Sequence, residues 1–387
     1  MTNLNRQRYR FPWRKGNAFR LLIDGQVYLR TMLDAIGEAR SYVFLEMYLW
    51  ESGRVSDRFI SALEQAVLRG VKVYLLLDDY GCFGLSRRDR QRLLTAGAAL
   101  VRYNPIRFRH WHRNLFRNHR KLLLVDGEIA YTGGTGLTDQ FDPEVNPHNH
   151  WHEAMLEMRG PVVLDWQRLF CETWEYWAKA PLFYPALALP AQAGEDSGRV
   201  TVQGRAHARS EIMRSFITHI RNARYEVWMA TAYFVPPWKL RRALRRAAQR
   251  GVDVRLLLPG PRSDHPAVRY VGRRFYERLL RDGVRIFEYQ PRFIHAKVLL
   301  CDQWVSVGSS NLDRWNYRWN LEANQETRGP QIVAEVRQLF LSDMVHCREI
   351  DYAGWQVRSR YRRLLEWFWG RVVYWVTRVT EGRGRTP

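Results

Sequence analysis

The chain has 387 residues, which at about 100 to 200 residues per domain predicts two domains and excludes a minimal disulfide-stapled or disordered chain. Lys and Arg number 61 against 39 Asp and Glu, so the formal net charge is +22. This excess indicates a polyanionic partner, for which nucleic acid and an acidic phospholipid surface are the candidates. Only six basic residues are Lys, so each Lys position is informative.

Targeting and redox signals are sparse. The chain has four scattered cysteines: Cys82, Cys171, Cys301 and Cys347. Without a CxxC pair they argue against a disulfide framework or a zinc ribbon and fit a reducing compartment. Residues 1–17 are basic but lack an apolar run, so we predict neither a signal peptide nor a membrane-spanning anchor there. The longest strongly apolar stretch, 364–376, is too short to span a bilayer.

Strand and helix patterns occur twice in the same order. The first set is a strand at 42–48, a helix at 56–69 ended by Gly70, a strand at 71–77, a helix ended by Gly97 and a strand to Tyr103. The second set is a strand at 225–234, a helix ended by Gly251, a strand at 252–258, a helix ended by Gly283 and a strand at 284–289. The repeat predicts two homologous α/β halves.

A stretch rich in Pro, Ala and Gly separates the halves and has no periodicity, which is typical of a linker. The predicted divisions are a first lobe at 1–180, a linker at 181–198, a second lobe at 199–345 and a basic, aromatic carboxyl-terminal segment at 346–387.

Each half contains one HxKxxxxD motif. They are His119-Arg120-Lys121-Leu122-Leu123-Leu124-Val125-Asp126 and His295-Ala296-Lys297-Val298-Leu299-Leu300-Cys301-Asp302. The apolar runs predict strands, on which His and Lys share one face and Arg120 or Ala296 takes the other. Asp126 and Asp302 have the opposite parity and stand before a turn, so we expect a structural or lysine-positioning role for them.

A turn of small residues follows each motif. The turns are Gly133-Gly134-Thr135-Gly136 and Gly308-Ser309-Ser310-Asn311. Such turns bring backbone N–H groups, hydroxyls and an amide close to an anion, so Gly133, Gly134, Ser309 and Asn311 are candidate phosphate ligands. Two His, two Lys and these donors suit a phosphodiester substrate. The set requires no metal or cofactor, and the His-rich stretches 110–112 and 148–152 favour a solvated loop or pocket rim over a zinc site.

These motifs resemble the phospholipase D superfamily, whose signature is a doubled HxKxxxxD followed by a Gly/Ser-rich turn with Asn. Nearly the whole chain, and 308–324 in particular, is similar to bacterial cardiolipin synthases of the short type, which lack amino-terminal transmembrane helices. The resemblance implies two α/β lobes, each a mixed sheet flanked by helices, that form one active-site cleft on a pseudo-twofold axis.

The resemblance also implies a ping-pong mechanism through a phosphohistidine, with a downstream acid orienting each His. Glu153 and Glu322 match those acids. By analogy with most members His119 is the nucleophile and His295 the acid/base, although the residues alone leave the two roles interchangeable. Where the family usually has Asn, the first motif has Gly136, for which Thr135 or Thr138 are possible substitutes.

Two further segments are basic. The tail 358–378 combines Arg with Trp, Phe, Leu and Val, which is typical of an interfacial helix on anionic lipid, although packing on the second lobe is the alternative. Arg241, Arg242, Arg245 and Arg246 form a basic helix face that meets either lipid headgroups or water.

These observations favour a phosphatidyltransferase that makes cardiolipin from two phosphatidylglycerols, with a different first acceptor or donor, such as phosphatidylethanolamine, as the alternative. The expected partner is an anionic phospholipid membrane, contacted peripherally at the cytoplasmic face of the bacterial inner membrane, with no nucleic acid and no obligate protein partner. A phospholipase D-type phosphodiesterase or nuclease is the alternative function, and a catalytically inactive basic scaffold is disfavoured because both motifs are intact.

Overall fold

Both halves of the chain form the same order of strands and helices. The computed structural model describes residues 9–107, 113–179, 182, 189–204 and 210–359, with residues 364, 366, 368, 369 and 371. The first half contains β1 (Arg14–Ile23), α1 (Gly25–Glu38), β2 (Tyr42–Met47), α2 (Arg54–Leu68), β3 (Lys72–Asp78), α3 (Arg87–Ala96), β4 (Ala99–Tyr103), β5 (Arg117–Asn118), β6 (Leu122–Val125), β7 (Ile129–Gly133), β8 (Ala154–Arg159) and α4 (Val163–Ala178). The second contains β9 (Asp196–Gln203), α5 (Glu211–Asn222), β10 (Glu226–Ala230), β11 (Phe234–Val235), α6 (Trp238–Gln249), β12 (Asp253–Pro259), α7 (Pro266–Arg273), α8 (Tyr276–Arg281), β13 (Arg285–Tyr289), β14 (Val298–Cys301), β15 (Trp304–Gly308), β16 (Leu312–Asp313), α9 (Arg314–Trp319), β17 (Asn320–Arg328), α10 (Pro330–Val345), β18 (Cys347–Ile350) and α11 (Tyr352–Gln356).

One mixed sheet runs through both lobes. From the central antiparallel pair β1–β9, the first lobe continues β8, β7, β6, β2, β3, β4 and the second continues β17, β15, β14, β10, β12, β13, β18. The strands β2, β3 and β4 are mutually parallel, as are β10, β12 and β13. The matching orders confirm the predicted duplication and the predicted α/β fold class.

The apolar strands are covered on both faces by helices. Every residue of β2 is buried, as expected for a parallel strand between two helical layers. The helices α2 and α6 end at Gly70 and Gly251, each with a φ of +89°, which favours glycine. The helix-ending glycines of the sequence repeat therefore mark equivalent turns.

A single core joins the lobes. Trp166 and Phe170 of α4 belong to the same buried cluster as Val336 and Phe340 of α10. The Trp166 indole also donates a 2.9 Å hydrogen bond to Gln325 Oε1 of the second lobe. Separate clusters lie under the outer helices of each lobe. The two lobes thus fold as one unit with a shared central core.

The predicted domain boundaries shift at two places. The strand β9 begins at Asp196, inside the predicted linker 181–198, because it pairs with β1 and β17. The predicted segment 346–387 begins with β18, which pairs with β13, and with α11, whose buried Trp355 packs on Tyr276. The second lobe therefore extends beyond 345, and its last sheet strand comes from the segment predicted as a tail.

Most of the predicted interfacial helix lies outside the described residues. Of its described residues, Glu366 is buried and forms ion pairs with Arg273 and Arg358. Leu364 is more than half exposed, and Phe368 is about half exposed. At Glu366 the segment contacts the second lobe.

The predicted basic face of α6 is partly engaged in contacts. Arg241 stacks on Phe275 at 4.1 Å and Arg245 pairs with Asp282, while Arg242 and Arg246 are exposed. Within the described ranges, no helix has the length and apolar character needed to cross a membrane.

Candidate active site

The sheet brings each motif to the carboxyl ends of the parallel strands. Both motif strands have the predicted bounds, 122–125 and 298–301. In the first lobe Leu122 of β6 lies opposite Glu46 near the end of β2, and in the second Val298 of β14 lies opposite Ala230 at the end of β10. The histidines precede these strands by three residues and so lie at this edge.

The backbone of each motif pairs with the opposite lobe. The strand β5 is parallel to the start of β17, and the His119 N–H donates a 3.0 Å hydrogen bond to the Leu321 carbonyl. In the second lobe the His295 N–H donates a 2.7 Å bond to the His152 carbonyl. Reciprocal backbone bonds therefore hold the two half-sites together.

The orienting acids are exchanged between the lobes. His119 Nδ1 lies 3.1 Å from Oε2 of Glu322, and His295 Nδ1 lies 2.7 Å from Oε2 of Glu153. All four side chains are buried, so each carboxylate holds its imidazole without competition from bulk water. Each lobe thus supplies the histidine of one half-site and the acid of the other.

The two lysines lie inside the same site. Lys121 Nζ donates to the His119 carbonyl at 2.6 Å, and Lys297 Nζ donates to the His295 carbonyl at 2.5 Å. Lys297 Nζ is also 3.6 Å from Glu153. On the opposite side of the first motif, as the parity predicts, Arg120 contacts Thr173 and Glu46.

Burial and neighbouring charge lower the pKa values of the basic groups. Burial brings the pKa of Lys121 to about 7, although Glu322 opposes the shift. Burial, with the charges of Lys297 and Lys121, holds the pKa of His295 well below its ordinary value. The pKa of His119 is lowered by burial and by Lys121, against the opposing carboxylate of Glu322. The charge of each lysine therefore opposes protonation of both histidines.

Asp126 and Asp302 do not position the lysines. Each has a positive φ and accepts three hydrogen bonds from backbone N–H groups. For Asp126 the donors lie at the start of β2 and are Arg40, Ser41 and Tyr42. For Asp302 they lie at the start of β10 and are Arg224, Tyr225 and Glu226. These bonds lie at the far end of the motif strands from the histidines. Of the two roles expected for Asp126 and Asp302, these contacts support the structural one.

The small-residue turns support the acids. Ser309 Oγ donates a 2.5 Å bond to Glu322, and its carbonyl lies 3.2 Å from His119 Nδ1. At the equivalent Gly134 an added Cβ would overlap the Glu153 carboxylate and lie 2.7 Å from Lys297 Nζ. The hydroxyl of Ser309 is thus engaged by Glu322 in this structure, rather than directed to a phosphate.

Two other candidate phosphate ligands differ in their surroundings. A Cβ at Gly133 would overlap Met155 Sδ, so this glycine allows β7 to pack against β8. Asn311 is buried, and among the described residues its Oδ1 has no hydrogen-bond partner. A phosphate contact from Asn311 stays a prediction that this unsatisfied amide supports.

Gly136 has a steric reason for lacking a side chain. An added Cβ would lie 2.9 Å from the Leu49 carbonyl oxygen, which leaves no room for Asn without a backbone shift. The suggested substitutes are engaged elsewhere: Thr135 Oγ1 is 3.1 Å from the Tyr28 hydroxyl, and Thr138 Oγ1 accepts from the Gln140 N–H. The first half-site therefore has no direct counterpart of Asn311.

Two features of the site were not predicted from the sequence: the aromatic rings beside the two histidines, and a buried ionic cluster around His152. Tyr48 lies edge-on to His119 with ring centres 4.6 Å apart, and Trp151 lies 5.1 Å from His295. His152 is 2.8 Å from Asp24 and 3.0 Å from Asp343, so it is a buried ion-pair partner and not a pocket rim. No sequence spacing signals these contacts, because the partners come from distant segments.

A duplicated α/β chain with two interlocked His-Lys half-sites defines the phospholipase D-like class. A family model described as "Cardiolipin synthase, PLD-like domain" matches residues 32–173 and 216–344. Cardiolipin synthase A of Pseudomonas aeruginosa is 34% identical over 345 residues, covering 88% of this chain and 69% of the relative. Cardiolipin synthase of Geobacillus thermodenitrificans is 30% identical, covering 89% and 70%.

Solved structures share the fold at low identity. The phosphatidylserine synthase of Haemophilus influenzae superposes with a TM-score of 0.72 at 13% identity, over 96% of each chain. The polyphosphate kinase of Porphyromonas gingivalis gives a TM-score of 0.58 at 18% identity, over 87% of this chain and 49% of the other. The chain belongs to the family of phospholipase D-like cardiolipin synthase domains.

Proposed function

We propose that the chain transfers a phosphatidyl group from one phosphatidylglycerol to the terminal hydroxyl of a second, forming cardiolipin and glycerol. The observation that carries the proposal is the pair of buried histidines, each held by a glutamate of the other lobe and each beside a lysine. The names of the relatives, cardiolipin synthases that cover most of the chain, support this substrate class.

In the first step the Nε2 atom of His119 attacks phosphorus. The phosphorus–oxygen bond to the glycerol headgroup breaks, and the leaving oxygen takes a proton from the imidazolium of His295. Nε2 is the reacting nitrogen because Nδ1 of each ring faces a carboxylate, Glu322 or Glu153. The assignment of His119 as nucleophile follows most members of the superfamily.

In the second step the terminal hydroxyl of another phosphatidylglycerol replaces the histidine. His295, now neutral, takes the hydroxyl proton as the oxygen attacks phosphorus and the phosphorus–nitrogen bond breaks. Both histidines return to their starting protonation states. The same acid/base group thus serves both half-reactions, as the pseudo-symmetric site allows.

The lysines prepare the site for an anion. Without substrate, burial and the lysine charges lower the pKa of both histidines, so that a neutral nucleophile is favoured. A phosphodiester anion beside Lys121 and Lys297 would offset these charges and raise the histidine pKa values, which favours a protonated acid. Substrate binding therefore supplies the charge balance that the first step requires.

We also propose that the protein attaches peripherally to an anionic phospholipid bilayer, at the cytoplasmic face of the bacterial inner membrane. The net charge of +22 supports an anionic surface. The four cysteines are free and three of them are buried, which fits a reducing compartment and so supports the cytoplasmic side.

A product assay tests the proposed activity. Purified protein is incubated with detergent-dispersed phosphatidylglycerol and, separately, with plasmid DNA. Cardiolipin and glycerol in equal amounts are expected from the lipid, and intact plasmid from the DNA. Nicked plasmid without lipid products would instead support the nuclease alternative. Both His119→Ala and His295→Ala should lower turnover at least about 1,000-fold while the circular dichroism spectrum is retained.

A further inference from the structure

Exposed aromatic side chains of both lobes lie at the edge that carries the two histidines. Tyr80 and Phe83 follow β3 and are 59% and 78% exposed. Trp238 begins α6, shortly after β10 and β11, and is 55% exposed. Because β3 and β10 belong to the two parallel sets, these residues stand at the carboxyl ends of strands, as His119 and His295 do.

Basic residues stand beside these aromatic side chains. Arg87 and Arg88 open α3, directly after the loop of Phe83, and are exposed. Exposed Lys239 and Arg242 lie in α6, and the Arg242 guanidinium is 5.7 Å from the Trp238 ring. The nearby acid Asp89 accepts a hydrogen bond from Ser52 and lies 4.0 Å from the Arg92 guanidinium, which offsets its charge. We call this set the mouth surface: Tyr80, Phe83, Arg87, Arg88, Trp238, Lys239 and Arg242.

A surface of this composition suits the interfacial layer of an anionic bilayer. Aromatic rings are favoured at the headgroup level, and Lys and Arg side chains close to an anionic leaflet are attracted to its surface. The buried histidines also require access for a lipid phosphate, and they lie at the same edge. A bilayer on any other face would leave the substrate distant from the two motifs.

We propose that the mouth surface docks on an anionic phospholipid bilayer, with Phe83 and Trp238 entering the interfacial layer and the basic residues meeting lipid phosphates. The lipid phosphodiester then reaches His119 and His295 without leaving the membrane. This inference rests on the proposed function, because it names the surface through which that function meets its substrate.

The chain offers matched controls at the opposite edge. Leu68 ends α2 just before β3, and Tyr225 directly precedes β10, so both lie at the amino ends of parallel strands. They are 77% and 75% exposed, similar to Phe83. Substituting Leu68 and Tyr225 removes a comparable area of apolar surface from the edge opposite the histidines, where no effect on membrane binding is expected.

Binding to vesicles without turnover tests the proposal. All variants carry His119→Ala, which removes the nucleophile and so prevents covalent attachment to lipid, and co-sedimentation is measured with vesicles of equimolar phosphatidylglycerol and phosphatidylcholine. The double variant Phe83→Ser/Trp238→Ser should bind at least about tenfold more weakly, whereas Leu68→Ser/Tyr225→Ser should stay within about twofold of the parent. Vesicles of phosphatidylcholine alone should bind the parent at least about tenfold more weakly.

Two results of the vesicle assay would overturn the proposal: unchanged binding of Phe83→Ser/Trp238→Ser, which we call the mouth variant, or equal losses of binding in both double variants. A third contradicting result is that the mouth variant loses binding to a duplex oligonucleotide and retains binding to vesicles. The last result would make the mouth surface a nucleic-acid interface. Because the assay needs no turnover, it remains readable if the product assay yields no cardiolipin, and the two proposals can fail separately.

Discussion

Gly134 and Ser309 occupy equivalent positions in the two lobes but hold the neighbouring glutamate in different ways. Ser309 donates a hydrogen bond to Glu322, whereas Gly134 leaves space for Glu153 to approach Lys297 and His295. Burial raises the pKa of Glu153 to about 7, in opposition to the charge of Lys297. The half-sites are therefore related in fold and different in electrostatics, which suits different roles for their histidines.

Adding one carbon at Gly134 should disable the site. In Gly134→Ala the new Cβ overlaps the Glu153 carboxylate, so Glu153 must move away from His295. We expect kcat to fall at least about 100-fold, since an error of about 1 Å in a catalytic group has an effect of this size. The measurement is steady-state transfer with detergent-dispersed phosphatidylglycerol.

Gly37→Ala is the control, because Gly37 is an exposed position of α1 where an added Cβ has no atom within 4 Å. This variant should keep wild-type kcat and gain up to about 1 kcal/mol of stability from helix propensity. Near-normal kcat in Gly134→Ala would show that the position of Glu153 does not matter for the reaction.

At the scale of elements, the histidine-bearing segments derive their positions from the opposite lobe. The segment at 151–153 pairs with the segment at 293–295, and β5 pairs with β17. Beside the first of these contacts, His152 bridges Asp24 after β1 and Asp343 of α10. The cluster thus joins an element of each lobe directly behind the pair Glu153–His295.

The charge on His152 should make stability depend on pH. Burial opposes protonation, but hydrogen bonds to Asp24 and Asp343 outweigh it and raise the pKa of His152 to about 10. The charged His152 stabilises the folded state fully below about pH 6.5, which is the pKa of histidine in the unfolded chain. This contribution to the free energy of unfolding is lost as the pH rises through about 10. We expect His152→Gln to lower the free energy of unfolding by about 2–5 kcal/mol at pH 6 and by much less near pH 10.

Urea unfolding of both proteins at each pH measures this difference. Comparison with the variant at each pH separates His152 from the other groups that titrate between these two pH values. A difference in unfolding free energy that is equal at both pH values would mean that His152 does not carry a charge in the cluster.

The motif strands and their parity were predictable from sequence, because strand periodicity is local. The exchange of Glu153 and Glu322 was not, since these acids lie 142 and 203 positions from the histidines they hold. The cluster around His152 was missed for the same reason: a short His-rich stretch between strands indicates a loop, whereas burial by the other lobe turns it into an ion-pair site. The sequence pattern therefore predicts each half-site, whereas the contacts between the half-sites are seen only in the tertiary structure.

At the scale of the whole molecule, duplication produces one composite site instead of two. The lobes share a core and a sixteen-stranded sheet, so neither lobe holds a complete set of catalytic groups. The family match over both halves fits this arrangement. The mouth surface places part of the positive charge, together with exposed aromatic residues, at the edge that carries the two histidines.

We propose that both lobes form a single site, which transfers phosphatidyl groups through a phosphohistidine. The most direct test is to incubate the protein with phosphatidylglycerol labelled at phosphorus, quench it in base and measure protein-bound label. We predict an acid-labile label on His119 of the wild type, much less label in His295→Ala, because the leaving group then lacks its proton donor, and none in His119→Ala. Turnover without any bound label, or label that persists in the double variant His119→Ala/His295→Ala, would contradict the account.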